Sequence, residues 1–495
     1  MLAIPEVLRR VPRSPGLLVV WCAAATVALL AAGCGGRSPG VASTGSYSGH
    51  AKVTIDAAEQ YQHIDGFGVS EGFGQAKTLM STPASVQRHV LSLLYSPTRG
   101  AGLTILRNEI SADEGFSIEP KAPGSPNAKP SYLTLASIDQ DQGQLWLAKQ
   151  IKAADGASVF ADAWSAPAFM KTNDSAINGG TVCGVPGASC KSGDWRQSYA
   201  DYLVQYAKDY ATAGVPLTYV GPENEGNLSV PQDSMSMSPS QTANLMQVLG
   251  ATLARSGLST RAECCATISW QYAQQYAAAI ETDKQANTAT AVFTSHGYFA
   301  APNSPLSGWS KPVWQTEWAP FGFAPWDPAW DDGSQSSGFT WAQNIYTGLT
   351  AANLSAFLYL WGANTSTTAM TGPNTGLVEV KGNTVAGSGR LWAFAGYSRF
   401  IRPGAVRIRA ATSRTRLEVS AFRNSDGSTA VVVLNSARSR QAATFSLRGI
   451  GAAHVTPYLT DTSHQLSPQT AITVGNSAFT ATVPPRSLVS YVIRP

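Results

Sequence analysis

The chain has 495 residues, too many for one small domain, so two folded units are expected. Only 13% of residues are charged, against a usual share of about 25%, and the net charge of +4 includes no interior Lys/Arg cluster interleaved with aromatics, which argues against a nucleic-acid groove. A chain poor in charge yet carrying 13 Trp, 17 Tyr and 16 Phe suits a neutral, hydroxyl-rich partner.

The N-terminus reads as a targeting segment over residues 1–34. Arg9, Arg10 and Arg13 precede the apolar run 17–32, which is too short and wrongly flanked to span a membrane. The run ends Leu29-Leu30-Ala31-Ala32-Gly33-Cys34, the pattern of a bacterial lipoprotein signal with Cys34 as the lipidated first residue. That predicts a secreted, cell-surface protein whose one membrane attachment is the lipid at Cys34. Ala31 stands where the pattern prefers Leu, and ordinary cleavage near Ala32 is the alternative. Residues 35–50, rich in Gly and Ser, read as a flexible tether.

Eight short β-rich runs follow, at 63–70, 103–110, 158–165, 217–225, 265–270, 291–298, 312–319 and 356–363. Amphipathic segments of helical period alternate with them, at 86–95, 142–153, 195–213, 239–256, 272–282 and 339–352. Repeated β-then-α units predict an α/β fold, a (β/α)₈ TIM barrel spanning 51–400. Such barrels carry their chemistry at the carboxyl ends of the strands. Here those ends bear Ser70-Glu71, Arg107-Asn108-Glu109, Trp164-Ser165, Asn224-Glu225, Trp270, His296 with Tyr298, Glu317-Trp318 and Trp361. Beyond residue 400 the pattern becomes short alternating stretches at 416–421, 430–434, 443–447, 455–459, 471–474 and 488–493, split by turns such as Asn424-Ser425-Asp426-Gly427. This predicts a C-terminal antiparallel β-sandwich side domain over 401–495, which the early strand 51–57 can join.

Cys183 and Cys190 flank a short loop and suit a disulfide in an oxidising compartment. Cys264 and Cys265 are adjacent; a vicinal bridge and two buried thiols are both open. The His residues are isolated and no spacing resembles a metal site, so neither metal nor cofactor is expected. A monomer is expected.

Two runs carry the chemistry: Val220-Gly221-Pro222-Glu223-Asn224-Glu225 and Val313-Trp314-Gln315-Thr316-Glu317-Trp318. Each ends in a carboxylate among amide, hydroxyl and indole groups. A protonated and an ionised carboxyl facing each other across a sugar bond are what glycoside hydrolysis needs. Glu317 must stay charged, and Arg107 and Tyr298 are the donors placed to hold it. Asn224 can serve a sugar 2-hydroxyl. Trp164, Trp318 and Trp361 can stack on sugar rings, whereas Trp195 and Trp341 fall on helices and read as packing. His296 can bind substrate or satisfy a core hydrogen bond. Glu71 and Glu109 could bind sugar hydroxyls, but pairing with Arg107 is the simpler reading.

These residues, together with Ile64-Asp65-Gly66-Phe67-Gly68, the stretch from Trp164-Ser165-Ala166-Pro167 to Lys171-Thr172-Asn173, and Tyr397-Ser398-Arg399-Phe400-Ile401-Arg402-Pro403-Gly404, resemble glycoside hydrolase family 30. The resemblance covers nearly all of the mature chain. It implies a retaining enzyme with Glu225 as acid/base and Glu317 as nucleophile. It also implies a β-linked polysaccharide as partner: β-1,4-xylan, or alternatively β-1,6-glucan or β-1,6-galactan. A transglycosylase or an inactive carbohydrate-binding barrel are the remaining readings. Ser117-Ile118-Glu119-Pro120, the Cys183/Cys190 loop and Gly193-Asp194-Trp195 are most similar to the xylan-active branch. Some members of that branch grip a glucuronate side group through Arg, but the loops 111–131 and 364–389 hold Lys121, Lys129 and Lys381 and no Arg. Glucuronate is therefore not expected to be obligatory. One residue departs from the family pattern: Gly226 stands where Pro usually follows the acid/base. Glu223, two residues before Glu225 and on the same strand face by the period of two, is a rival for the acid.

Overall fold

A computed structural model describes residues 49–113, 115–135, 141–320, 325–365 and 375–494. The targeting segment with Cys34, and most of the tether, lie outside the described residues.

The first strand, β1 (Ala51–Ile64), leads into eight short ones: β2 (Gly66–Ser70), β3 (Ile105–Ile110), β4 (Ser158–Ala163), β5 (Tyr219–Gly221), β6 (Arg261–Thr267), β7 (Thr290–His296), β8 (Val313–Glu317) and β9 (Ala356–Tyr359). Strands β2 to β9 pair in order and close into a barrel, with β9 returning to β2 at Gly66↔Ala356. Every pairing is parallel, so helices cover the outer face and the strands are buried on both sides. Inside, the period of two sorts each strand into layers. Ile105, Phe160, Tyr219, Val292, Trp314 and Leu358 pack as an apolar floor. The Trp314 indole sits edge-on to Phe160 and Tyr219, with centroids 5.5 and 5.2 Å away. Two residues further along β3 and β4 stand Arg107 and Asp162, so the layer above the floor is charged.

The helices take their ends from local chemistry. The helix Pro239–Ser256 has Pro at its first turn and a capping box between Ser238 and Gln241, and Gly257 closes it in the left-handed region.

The second unit is built from β13 (Ala405–Thr412), β14 (Leu417–Arg423), β15 (Thr429–Asn435), β16 (Gln441–Arg448), β17 (His454–Thr460), β18 (Ser467–Pro468), β19 (Ile472–Thr473), β20 (Ala478–Val483) and β21 (Ser487–Ile493). A small sheet precedes it, formed by β10 (Ala363–Thr365), β11 (Val378–Lys381) and β12 (Thr384–Gly387). Strand β1 belongs to the second unit: it runs antiparallel to β13 and parallel to β16. The sheet folds over its own core. Phe445 on β16 meets Tyr491 on β21 at 5.1 Å, although those strands are not neighbours in the sheet. This is the face-to-face packing of a β-sandwich.

Three sequence expectations need correction. The run expected to be extended over 217–225 is a strand only at Tyr219–Gly221; from Pro222 the chain leaves the ladder. The fifth strand lies at Arg261–Thr267, not 265–270. Trp270 therefore starts the helix Trp270–Thr282, where its indole donates to the Ser304 carbonyl and packs rather than facing the mouth. Strands β13 and β20 were missed. β13 alternates only over Val406-Arg407-Ile408-Arg409-Ala410, a run whose two Arg and small Ala leave few bulky apolar residues to mark it. β20 is a short run of small residues around Phe479.

Candidate active site

The charged layer is organised by Arg107, which is wholly buried. Its guanidinium grips Asp162 side-on, Nε to Oδ1 at 3.0 Å and Nη2 to Oδ2 at 2.7 Å. Nη1 donates to Glu317 Oε2, and Nη2 also donates to Asn224 Oδ1 at 2.6 Å. The Trp164 ring lies under the guanidinium, 4.5 Å from its carbon. One planar cation thus serves three elements at once, a task for the five-donor fork of Arg rather than Lys. With its oxygen taken by Arg107, Asn224 has its amide nitrogen left to serve a sugar hydroxyl.

Glu317 ends β8 and receives a donor on each oxygen: Arg107 on Oε2 and the Tyr298 phenol on Oε1 at 2.9 Å. Across the mouth, His296 Nδ1 lies 2.8 Å from Glu225 Oε1. Burial drives His296 down to about 3, so its ring is neutral. Burial pushes the Glu225 carboxyl up to about 7, against the pull of Arg107. A carboxyl raised in this way still carries a proton near neutrality, as a general acid must. Donor atoms of Glu225, His296 and Glu317 all come within 4.8 Å of one another. Such a cluster could hold a cation, but Arg107 and Tyr298 already occupy both oxygens of Glu317.

Glu225 is presented by a turn and not by a strand. Its φ is 52°, the left-handed region that a residue with a side chain occupies only when its surroundings impose it. Its N–H donates to the Ala266 carbonyl at 2.8 Å, and its own carbonyl accepts from Leu228 N at 2.7 Å. Ala266 is held in turn from below: its N–H donates to Thr294 Oγ1 at 2.8 Å, and the Thr294 hydroxyl donates to Glu263 at 2.5 Å. Burial raises Glu263 well above the usual carboxylate range. The strut Glu263–Thr294–Ala266 thus fixes the backbone that aims Glu225.

Comparison with known proteins agrees with this geometry. Residues 50–305 match the family model described as O-Glycosyl hydrolase family 30, and residues 404–491 match its beta sandwich domain. The chain belongs to glycosyl hydrolase family 30. The structure of the catalytic domain of GH30 xylanase C from Talaromyces cellulolyticus is 43% identical, covers 90% of this chain and 100% of its own, and superposes with a TM-score of 0.84. Glucuronoxylanase XynC of Bacillus subtilis (strain 168) is 24% identical over 348 residues, 68% of this chain and 74% of its own length. The endo-beta1,6-glucanase BT3312 shares the fold at 20% identity and a TM-score of 0.70, covering 89% and 93% of the two chains.

The family-30 site departs from the sequence reading at several residues. Glu223 is not on a strand face shared with Glu225, because the strand has already ended. Its side chain is wholly buried, accepts from Thr242 at 2.9 Å, and burial pushes it up to about 8. The Gly226 departure follows from it. A Cβ at Gly226 would lie 2.3 Å from Glu223 Oε2, so the carboxyl beneath leaves no room for a side chain there. Gly226→Ala should therefore destabilise the fold by about 1–3 kcal/mol. Glu223→Ala in the same chain should recover much of that loss. Melting temperatures of the two single variants and the double variant form the cycle; strict additivity would disprove the coupling.

Glu71 and Glu109 do not pair with Arg107. Glu71 accepts from Ala363 N at 2.6 Å and Glu109 from Phe73 N at 2.9 Å, so both pin backbone at the barrel mouth. Asp162 is the partner of Arg107 that the sequence reading missed. Its signal was a charge inside the otherwise apolar β4 run, as was Glu263 in β6. His296 is wholly buried behind both carboxylates, its Nε2 3.9 Å from Glu317 Oε2, a place for positioning Glu225 rather than touching sugar. Trp164 lines the cleft with Asn224 and Glu225, although Arg107 takes one indole face. Phe73, which no sequence pattern marked, stands edge-on to both Trp164 and Trp361 at 5.3 and 6.2 Å. Trp318 is half-buried beside Trp341. Trp195 and Trp341 are buried. Cys183 and Cys190 are bonded, and Cys264 and Cys265 are bonded to each other just before Ala266.

The protonation state has a readable consequence. An acid that must carry its proton, with a carboxyl raised to about 7, works below that pH and fails above it. The free-enzyme kcat/KM should fall on the alkaline side with a midpoint near 7. A pH–rate profile checks this, and a flat profile to pH 9 would refute it.

Proposed function

We propose that the protein is a retaining β-glycoside hydrolase that cleaves β-1,4-xylan through a covalent glycosyl-enzyme intermediate. One observation carries the mechanism: an oxygen of Glu225 and one of Glu317 lie within 4.8 Å of each other. That is near the roughly 5–5.5 Å of retaining enzymes and short of the roughly 6.5–9.5 Å that leaves room for an attacking water. Glu317, ionised against Arg107 and Tyr298, attacks the anomeric carbon while Glu225 gives its proton to the leaving oxygen. Glu225, now charged, takes a proton from the water that frees the sugar. Because the same intermediate can pass to a sugar acceptor, transglycosylation is a side outcome of one mechanism.

The substrate reading rests on the 43% identity to a protein called a GH30 xylanase and on the weaker match to a glucuronoxylanase. The alternatives are β-1,6-glucan and β-1,6-galactan. Xylan with and without glucuronate, β-1,6-glucan and β-1,6-galactan, assayed side by side with products sized by chromatography, decide among them. Equal cleavage of decorated and linear xylan is expected, and strict dependence on the side group would refute that part. An NMR time course should show the β-anomer released first; the α-anomer first would overturn retention. We also hold to export, with Cys34 as the lipid anchor. Two disulfides support an oxidising compartment.

A further inference from the structure

Phe299 is 86% exposed, and among the described residues only Tyr61 shares the class of large, exposed hydrophobics. Its backbone is also costly, with φ at 60°. Residues 298–300 form a three-residue turn closed by Ala300 N donating to the Tyr298 carbonyl at 2.6 Å. With positive φ at its centre, that is the rare, strained form of such a turn. Glycine or asparagine would hold this conformation at lower cost and would not put a phenyl ring in water. Stability and solubility both argue against Phe here, so the ring answers to something else.

Its surroundings are fixed. Gly297 lies directly under the Trp318 indole, where a Cβ would come 2.3 Å from the ring. The Tyr298 hydroxyl is bonded to Glu317, and the Ala300 carbonyl accepts from Trp270 N at 3.2 Å. The turn is therefore bolted on both sides of Phe299, one residue from a side chain that touches the nucleophile. Around the barrel mouth Phe299 falls on the arc opposite Phe73, Trp164 and Trp361. Phe73, Trp164 and Trp361 follow β2, β4 and β9, and Trp164 shares the cleft with Asn224, the residue suited to the 2-hydroxyl of the attacked sugar. Phe299 follows β7, on the arc between Glu225 after β5 and Glu317 on β8.

We propose that Phe299 is a sugar platform on the leaving-group side of the scissile bond, stacking on a pyranose ring that departs with the proton from Glu225. An aromatic ring carried on a fixed backbone turn offers an apolar face with only its own two side-chain torsions left to order when the sugar arrives. The inference rests on the glycosidase reading above but not on which glycan is cut.

The test compares wild type with Phe299→Ala on two substrates: the polymer the wild type cleaves best in the glycan panel, and a nitrophenyl glycoside of the same sugar. The nitrophenyl substrate carries no sugar on the leaving-group side. The ratio of polymer to nitrophenyl kcat/KM should fall about three- to tenfold in Phe299→Ala, the worth of one aromatic contact. Phe299→Trp should restore it. Melting temperatures should not drop, since the ring is exposed and the turn strained. A ratio that stays at the wild-type value, or a Phe299→Trp that behaves like Phe299→Ala, overturns the platform. Failure to cleave xylan would overturn only the substrate reading, because the same ratio is then taken on the glycan that is cleaved.

Discussion

Glu225→Gln is expected to lower the polymer kcat by about 10²–10⁴-fold, the usual worth of a positioned general acid, and to spare far more of the activity on nitrophenyl glycosides. A nitrophenolate leaves without a proton, so only the second step then lacks its base. Glu317→Gln should lose about four orders of magnitude or more on both substrates, because no covalent intermediate can form. Azide separates the two roles by stereochemistry. In Glu225→Ala, azide attacks the glycosyl-enzyme and yields the β-glycosyl azide. In Glu317→Ala, azide fills the vacated space and attacks the substrate directly, giving the α-glycosyl azide. Swapped products would mean swapped roles. Glu223→Gln should keep most polymer activity, since its carboxyl is buried under Gly226 and bonded to Thr242; a thousandfold loss there would return Glu223 as the acid. In Glu225→Gln the alkaline limb near pH 7 should vanish with the group that causes it.

Arg107→Met is the second large effect, and it acts on both stability and rate. It strands Asp162 and Glu317 in a buried layer with their shared cation removed. Breaking a buried pair in this way costs about 3–5 kcal/mol, which for a chain of this size is a fall of roughly 3–5 °C in Tm. The deficit should shrink as pH is lowered. Burial already raises Asp162 to about 6 beside Arg107; without the cation its folded pKa lies further above the unfolded one, so the variant regains stability as Asp162 protonates and loses it again as pH rises. Arg107→Lys should fold better but remain at least about a hundredfold slow, because one ammonium cannot serve Asp162, Glu317 and Asn224 together. Thermal melts at two pH values, with kcat on a nitrophenyl glycoside, check both parts. An Arg107→Met variant with wild-type Tm at neutral pH would refute the electrostatic account.

How much of this was legible before folding depends on the residue. The alternation of apolar strands with amphipathic helices is a local pattern, and all eight barrel strands lie at or near their expected places. Glu317 was readable because β8 runs straight into it. Glu225 was readable as a polar residue beyond an apolar run, but its presentation was not. The strand ends at Gly221, and the left-handed turn at Glu225 is imposed by Ala266 from another strand. The period-two argument that paired Glu223 with Glu225 failed for that reason. Asp162 and Glu263 showed only as charges in buried strands. Their partners lie 55 and 31 residues away, a separation no local pattern resolves.

The order of residues alone determined the barrel and the C-terminal β-rich unit, and it marked Glu225 and Glu317 as polar groups beyond apolar runs, because burial periodicity and the position of polar groups at strand ends are written in near neighbours. Closing the barrel decided the rest. It chose Asp162 over Glu71 and Glu109 as the partner of Arg107, set Glu223 beneath Gly226, and turned His296 onto Glu225. It also drew β1 away from the barrel into the second sheet. Each of those outcomes depends on distances between strands far apart in the chain, and burial then decides which charges must be paired and which carboxyls must keep their protons.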